Sequence, residues 1–250
     1  MPRQPDGSFT DRPTDRVVGV LGGMGPHATV DFFAQLVRAT EADKDWNHLH
    51  IVVEDNPRIP SRTRAFLFGE ESPAPHLAAG ARRLEAMGAH IIGVPCNSAA
   101  YFLQPAREAV RARVLDPVTA TADALRLHAA APRRPAVLGG MVTARARLYT
   151  KELAGSGIEP LYPDDAGQAE VAALIEALKK LDTSPAVLDR TQALVRSMQA
   201  AGADAIVLGC TELGLIADRL ACDLPVLNSN ALLARQLVSL ARSGTSGCPS

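Results

Sequence analysis

Short runs of β-branched and aliphatic residues alternate along this chain with stretches rich in Ala and Leu, whose apolar positions recur at helical spacing. The short runs predict strands over 17–21, 49–54, 91–94, 114–115, 136–138, 158–161, 205–208 and 226–227. The longer stretches predict helices over 28–42, 74–87, 101–107, 120–129, 148–153, 168–180, 188–201 and 231–241, where Ala and Leu favour the helical backbone. Strands alternating with helices make βαβ units, and such units make a parallel sheet flanked by helices. The expected fold class is therefore α/β.

An internal repeat refines that expectation. Val20-Leu21-Gly22-Gly23-Met24 returns as Val137-Leu138-Gly139-Gly140-Met141. The stretch from Gly88 through Ile91, Ile92 and Pro95 to Cys96-Asn97-Ser98 is echoed at nearly the same offset by the stretch from Gly202 through Ile206 and Gly209 to Cys210-Thr211-Glu212. Two echoes at one offset imply duplicated halves. The expected organisation is an α/β domain over 16–117 completed by 228–245, and a second over 118–227, with loose polar tails at 1–15 and 246–250. These two pseudo-symmetric domains, each a mostly parallel sheet flanked by helices, would hold the active site in the cleft between them.

The bulk numbers fit this picture. A chain of 250 residues, 47% hydrophobic, can bury two modest cores. A net charge of -1 gives no pull toward nucleic acid or an anionic membrane, so a small molecule is the expected partner. No apolar run is long enough to span a bilayer and the start of the chain lacks a signal-peptide core, which predicts a cytoplasmic protein. The four cysteines Cys96, Cys210, Cys222 and Cys248 lack zinc-site pairing, and the six histidines have no ligand spacing, so free thiols and no metal are expected.

In each half the repeat places a cysteine just past a buried strand, at the carboxyl edge where open parallel sheets bind ligands. One such cysteine is usually a small apolar filler. Two in register, each followed by a polar pair, point instead to chemistry. Unpaired N–H groups at a helix start are expected to lower the thiol pKa, making a thiolate base or nucleophile. Asn97-Ser98 and Thr211-Glu212 then form a cradle for an amino-acid carboxylate. Two thiols across a cleft suit a reaction that takes a proton from one face of a carbon and returns one to the other.

Four motifs carry a specific resemblance: Gly22-Gly23-Met24-Gly25-Pro26, the stretch Asn56-Pro57-Arg58-Ile59-Pro60-Ser61-Arg62-Thr63, Pro95-Cys96-Asn97-Ser98-Ala99, and Gly209-Cys210-Thr211-Glu212-Leu213. In this order, and over residues 17 to 241, the chain resembles the aspartate/glutamate racemases. The resemblance implies a racemase that needs no cofactor, pyridoxal phosphate included, and that forms homodimers. It implies that Cys96 and Cys210 exchange the roles of thiolate base and thiol acid, and that Arg62 binds a side-chain carboxylate through its bidentate fork. Met24, Gly25, Thr143 and a lysine at Lys180 or its neighbour Lys179 fall on substrate-site positions; Tyr149 reads as packing. The glycine-rich loop lacks the spacing of a dinucleotide or phosphate loop.

Departures from the family pattern bear on the substrate. Ala100 stands where a histidine is usual, Ser61 where an aspartate is common, and Gly140 and Val142 replace the usual Thr and Gly. Both proposed proton carriers are kept. The rival functions are a maleate isomerase-like enzyme, in which one cysteine attacks carbon; a hydantoin racemase-like enzyme; and a thiol-based redox or ligand-binding sensor.

Overall fold

The first strand, β1 (Val18–Gly22), is buried at every position, as an unbroken aliphatic run in the middle of a parallel sheet must be. The computed structural model describes residues 16–243; the expectations for 1–15 and 244–250, Cys248 included, lie outside the described residues. Helix α1 (Pro26–Ala39) follows, opened by Pro26 and carrying Arg38 in its last turn, an order that suits its unpaired N–H groups and its dipole. Next come β2 (Ile51–Asp55), α2 (Arg62–Phe68), α3 (Ala74–Ala86), β3 (Ile91–Gly93), α4 (Gln104–Ala109), β4 (Arg113–Leu115) and α5 (Pro117–Leu127). All four strands run parallel in the order β2-β1-β3-β4.

The second half repeats the plan with β5 (Pro135–Gly139), α6 (Met141–Arg145), α7 (Leu148–Glu152), α8 (Asp165–Lys179), α9 (Pro185–Ala200), β6 (Ala205–Gly209), α10 (Thr211–Gly214), β7 (Val226–Asn228) and α11 (Ser229–Arg242). Its sheet is also parallel, in the order β5-β6-β7. The strand expected over 158–161 is reduced to one bridge, Leu161 to Ala136. Backbone bonds still tie Glu159 N to Arg133 O and Leu161 N to Pro135 O, and Pro160 between them, having no N–H, leaves the outer edge of this segment without a donor there. Leu161 thus occupies beside β5 the place that β2 holds beside β1, and the two halves share one strand order.

The helix expected over 101–107 is divided. A 3₁₀ segment, Asn97–Phe102, gives way to α4, which Pro105 opens. Three short helices, α2, α6 and α10, were not expected from periodicity, and none exceeds seven residues. Helix α2 is defined instead by its ends: Ser61 accepts from Arg64 N, and Gly69 closes it in the left-handed region.

Helix α11 leaves β7 and returns to the first half. Its Leu233, Leu237 and Val238 pack with Val18, Val20, Phe32, Leu36 and Ile91 in one buried cluster. Each such aliphatic side chain contributes about 1.5–3 kcal/mol of burial. This return fastens the end of the second sheet to the first, so the carboxyl edges of β3 and β6 face a common space.

Candidate active site

A cleft of about 100 Å³ lies beyond those edges, lined by Cys96, Asn97 and Ser98 from the first half and by Cys210, Thr211 and Glu212 from the second. Water occupies roughly 10–15 Å³ by the same measure, so the cleft has room for several such groups, the scale of a small amino acid. Cys96 follows β3 and caps the 3₁₀ segment; Cys210 follows β6 and caps α10. Duplicated strands therefore deliver the two thiols to one space. Cys96, Cys210 and Cys222 are all free.

Each residue after a cysteine is linked to the other half, Thr211 directly and Asn97 through Ser229 of the returning helix. Thr211 Oγ1 donates to the carbonyl of Pro95, the residue before Cys96, at 2.9 Å. Asn97 Nδ2 donates to Ser229 Oγ at 3.0 Å, and Ser229 Oγ donates in turn to the carbonyl of Leu208, two residues before Cys210. The hydroxyl of Thr211, expected to meet the substrate, has its proton committed to this bridge. Such buried links cost little while made and about 1–3 kcal/mol when one partner is left alone.

The electrostatics at the two cysteines differ. Cys210 Sγ lies 2.9 Å from Glu212 Oε2 and donates to it. Burial pushes the Cys210 thiol well above its ordinary value; the charge and hydrogen bond of the Glu212 carboxylate push it further, the Glu212 N–H opposes them, and the charge of Cys96 adds a smaller push upward. The expected lowering by a helix start is overturned here. Helix α10 has four residues and a full carboxylate at its second position, which outweighs its few backbone dipoles. Cys210 thus rests as a thiol. Glu212→Gln removes the opposing charge, so the Cys210 pKa should fall and its thiolate fraction rise. Alkylation of Cys210 by iodoacetamide near pH 8, followed by peptide mass spectrometry, should be faster in Glu212→Gln than in the parent chain; an unchanged rate would show that Glu212 does not hold the proton on sulfur.

On the opposite wall, Arg62 is held by backbone carbonyls. Its Nη1 donates to Pro60 O at 3.1 Å and to Ile59 O at 3.4 Å, and its Nη2 to Met24 O at 3.3 Å. Its Nε is buried without a partner. It forms no salt bridge among the described residues. A guanidinium with no carboxylate beside it, in a cleft, is a ready partner for an anion. The first loop reaches this wall through Gly23, whose φ is +88° and whose added Cβ would stand 2.2 Å from the Asn56 carbonyl carbon. No other residue allows that approach.

Of the residues predicted from sequence, Met24, Arg62, Cys96, Asn97, Ser98, Cys210, Thr211 and Glu212 line the cleft. Gly25 does not; it lines an adjoining, mostly apolar pocket that shares Lys179 and Glu212 with the cleft. Thr143 is fully buried beneath Gly139, and its Oγ1 has no partner. Gly140, just before α6, meets the cleft in its place. The lysine on the cleft is Lys179, not Lys180. Ile175 also lines the cleft, and a residue four positions on shares its helix face, whereas Lys180 is turned past it as the cap of α8. Burial opposes the charge on Lys179, but its bond to Glu176 at 2.7 Å and the charges of Glu176, Glu212 and Cys210 raise its pKa overall.

Sequence reasoning left Thr63 and Ile175 out of the site and named Ser61 and Gly140 only as departures from the family pattern that bear on the substrate; all four line the cleft. Among the described residues no group of His, Cys, Asp or Glu could hold a metal, and no helix is long and apolar enough to cross a membrane.

Comparison with known proteins gives a consistent result. The sequence pattern that defines the Asp/Glu/Hydantoin racemase family matches residues 21–237. A broad specificity amino-acid racemase of Bacillus subtilis is 30% identical over 230 residues, spanning 89% of this chain and 97% of that protein. The structure of an aspartate racemase from Picrophilus torridus superposes with a TM-score of 0.81 at 28% identity, covering 90% of this chain and 94% of that one. A glutamate racemase of Francisella tularensis, solved with D-glutamate, shares the fold with a TM-score of 0.64 at 18% identity, over 90% of this chain and 81% of its own.

Proposed function

Because the chain belongs to the Asp/Glu/hydantoin racemase family, we propose that it racemises an amino acid, preferentially an acidic one, with Cys96 and Cys210 as the two proton carriers and without a cofactor. The observation that carries this reading is the arrival of two free thiols, from equivalent strands of duplicated halves, at one cleft that also holds a guanidinium with no carboxylate partner among the described residues. The relatives named above support the reaction class. The halves act as the two domains, 16–117 with the returning C-terminal helix and 118–227.

The proposed reaction begins with the amino acid's side-chain carboxylate on Arg62 and its ammonium toward Glu212. Cys96, as thiolate, removes the α-proton and becomes a thiol. The electron pair left on the α-carbon spreads into the α-carboxylate, where polar groups after each cysteine and their backbone N–H groups meet the growing charge. Cys210 gives its S–H proton to the opposite face and becomes a thiolate. The other enantiomer runs the same path in reverse, restoring both sulfurs. The high pKa of Cys210 suits this assignment, since a two-base inversion needs one sulfur protonated while the other is not.

Incubation of the reduced protein with L- and D-aspartate and glutamate in deuterated water tests the reading. The expected result is loss of the α-proton NMR signal together with inversion on a chiral column. Absence of exchange with these and with neutral amino acids would overturn it.

A further inference from the structure

Behind the cleft, a buried hydrogen-bond chain runs Tyr149 Oη to Asn97 Oδ1 at 2.7 Å, Asn97 Nδ2 to Ser229 Oγ at 3.0 Å, and Ser229 Oγ to Leu208 O at 2.8 Å. Tyr149 and Ser229 have no exposed surface and Asn97 has 2%. A carbonyl only accepts, so Leu208 O takes the one proton of Ser229. Ser229 is thereby left to accept from Asn97, which must present its NH₂ on that side and its Oδ1 to Tyr149. Tyr149 must then donate. The neighbouring Thr121 hydroxyl cannot supply the proton instead, because its own goes to Pro117 O at 2.7 Å. One carbonyl therefore sets the direction of every proton in the chain.

A reversed Asn97 amide would place two lone-pair-bearing oxygens against each other at Ser229 and leave the Tyr149 proton facing an NH₂. The chain also joins the residue after Cys96 to the strand that ends just before Cys210. Asn97 itself lines the cleft, and its NH₂ has a second hydrogen that the chain does not use.

We propose that Tyr149 and Ser229 are positioning residues that lock the Asn97 carboxamide in one orientation, leaving its second N–H as a fixed donor to a carboxylate in the cleft. The proposal rests on the racemase reading for the charge this donor meets: as the α-proton leaves, negative charge builds on the substrate carboxylate, so the donor acts on kcat more than on KM.

The test is a double-mutant cycle through Asn97. Tyr149→Phe and Ser229→Ala are each expected to lower kcat for α-proton exchange by about tenfold, with KM changed by less than about twofold. Placed on Asn97→Ala, neither should change kcat by more than about twofold, because the group they orient is gone. A fall of the same size in both backgrounds, or none in the parent chain, would overturn the proposal and leave the two residues as scaffold. Thermal unfolding of each variant checks the fold; Tyr149→Phe keeps the packed ring and decides alone if Ser229→Ala does not fold. The orientation is also read without turnover, from the side-chain amide signal of Asn97 in nitrogen-15 NMR spectra, assigned by its loss in Asn97→Ala. If the parent chain exchanges no α-proton, a single sharp Asn97 signal that becomes split or exchange-broadened in Tyr149→Phe upholds the positioning and only the racemase reading fails. An Asn97 signal equally sharp in Tyr149→Phe, or already exchange-broadened in the parent chain, overturns the positioning itself.

Discussion

Cys96→Ser and Cys210→Ser are each expected to slow inversion by about 10²- to 10⁴-fold, the range of a lost general acid or base. A serine hydroxyl is neither ionised near neutral pH nor able to match a thiol as a proton donor to carbon. The remaining sulfur keeps its own face, so each variant should still wash deuterium into one enantiomer without inverting it. The enantiomer should be opposite for the two variants. The pH dependence should show the Glu212 carboxylate as well: exchange by Cys210 requires thiolate, and the Cys210 thiol is held well above its ordinary value. Washout in Cys96→Ser, which leaves Cys210, should therefore rise only at high pH, and adding Glu212→Gln should move that rise to lower pH. Proton NMR of each enantiomer in deuterated buffer reads all of this. Full inversion by either variant would remove the two-base mechanism, and washout of the same enantiomer by both would place the sulfurs on one face.

The duplication explains both the symmetry of this arrangement and its limits. Equivalent strands bring Cys96 and Cys210 to the cleft, but different residues follow them. After Cys96 comes Asn97, neutral and fixed by Tyr149 and Ser229. Glu212, the second residue after Cys210, has its carboxylate 2.9 Å from the sulfur. One scaffold thus holds two thiols in unequal fields, and the proposed two-base inversion would use that inequality to keep Cys210 protonated. A pair with identical neighbours would lack this bias.

Much of this is legible along the chain because it is local. Aliphatic runs mark the seven strands among the described residues, and the repeated Val-Leu-Gly-Gly-Met segment and the two strand-to-cysteine segments mark the duplication. What escapes is either short or distant in sequence. The segment 158–161 reads as a full strand, whereas Leu161 pairs at one point only, because pairing depends on a neighbour that the segment itself does not record. Lys179 and Lys180 are adjacent letters, separated by the helix face of Ile175 rather than by composition. The bonds from Thr211 to Pro95 and from Asn97 to Ser229 join residues more than a hundred positions apart, and nothing local records them. The rise in the Cys210 pKa comes first from burial and then from the placement of the Glu212 carboxylate, and a motif gives residue types without burial or rotamers.

Arg62→Ala should lower kcat/KM for an acidic amino acid by roughly 100-fold while leaving a neutral amino acid of similar size nearly unchanged, since a hydrogen bond to a charged group is worth about 1.5–3 kcal/mol. The guanidinium has two tasks, however. It ties Ile59, Pro60 and Met24 through their carbonyls, and its charge has no carboxylate partner among the described residues. The alanine variant removes both. Arg62→Gln keeps donors for a carbonyl and loses the charge; Arg62→Lys keeps the charge and loses the fork. If Arg62 selects substrate, Arg62→Gln should be as poor as Arg62→Ala toward the acidic substrate, and Arg62→Lys should recover part of the loss as a single-point cation. Steady-state kinetics with aspartate and alanine, in all three variants, separates the tasks. Equal losses toward both substrates would mean that Arg62 serves as a tether between the first loop and α2. A loss confined to the acidic substrate would mean that the wall of the cleft reads a second carboxylate through a charge the fold leaves unpaired.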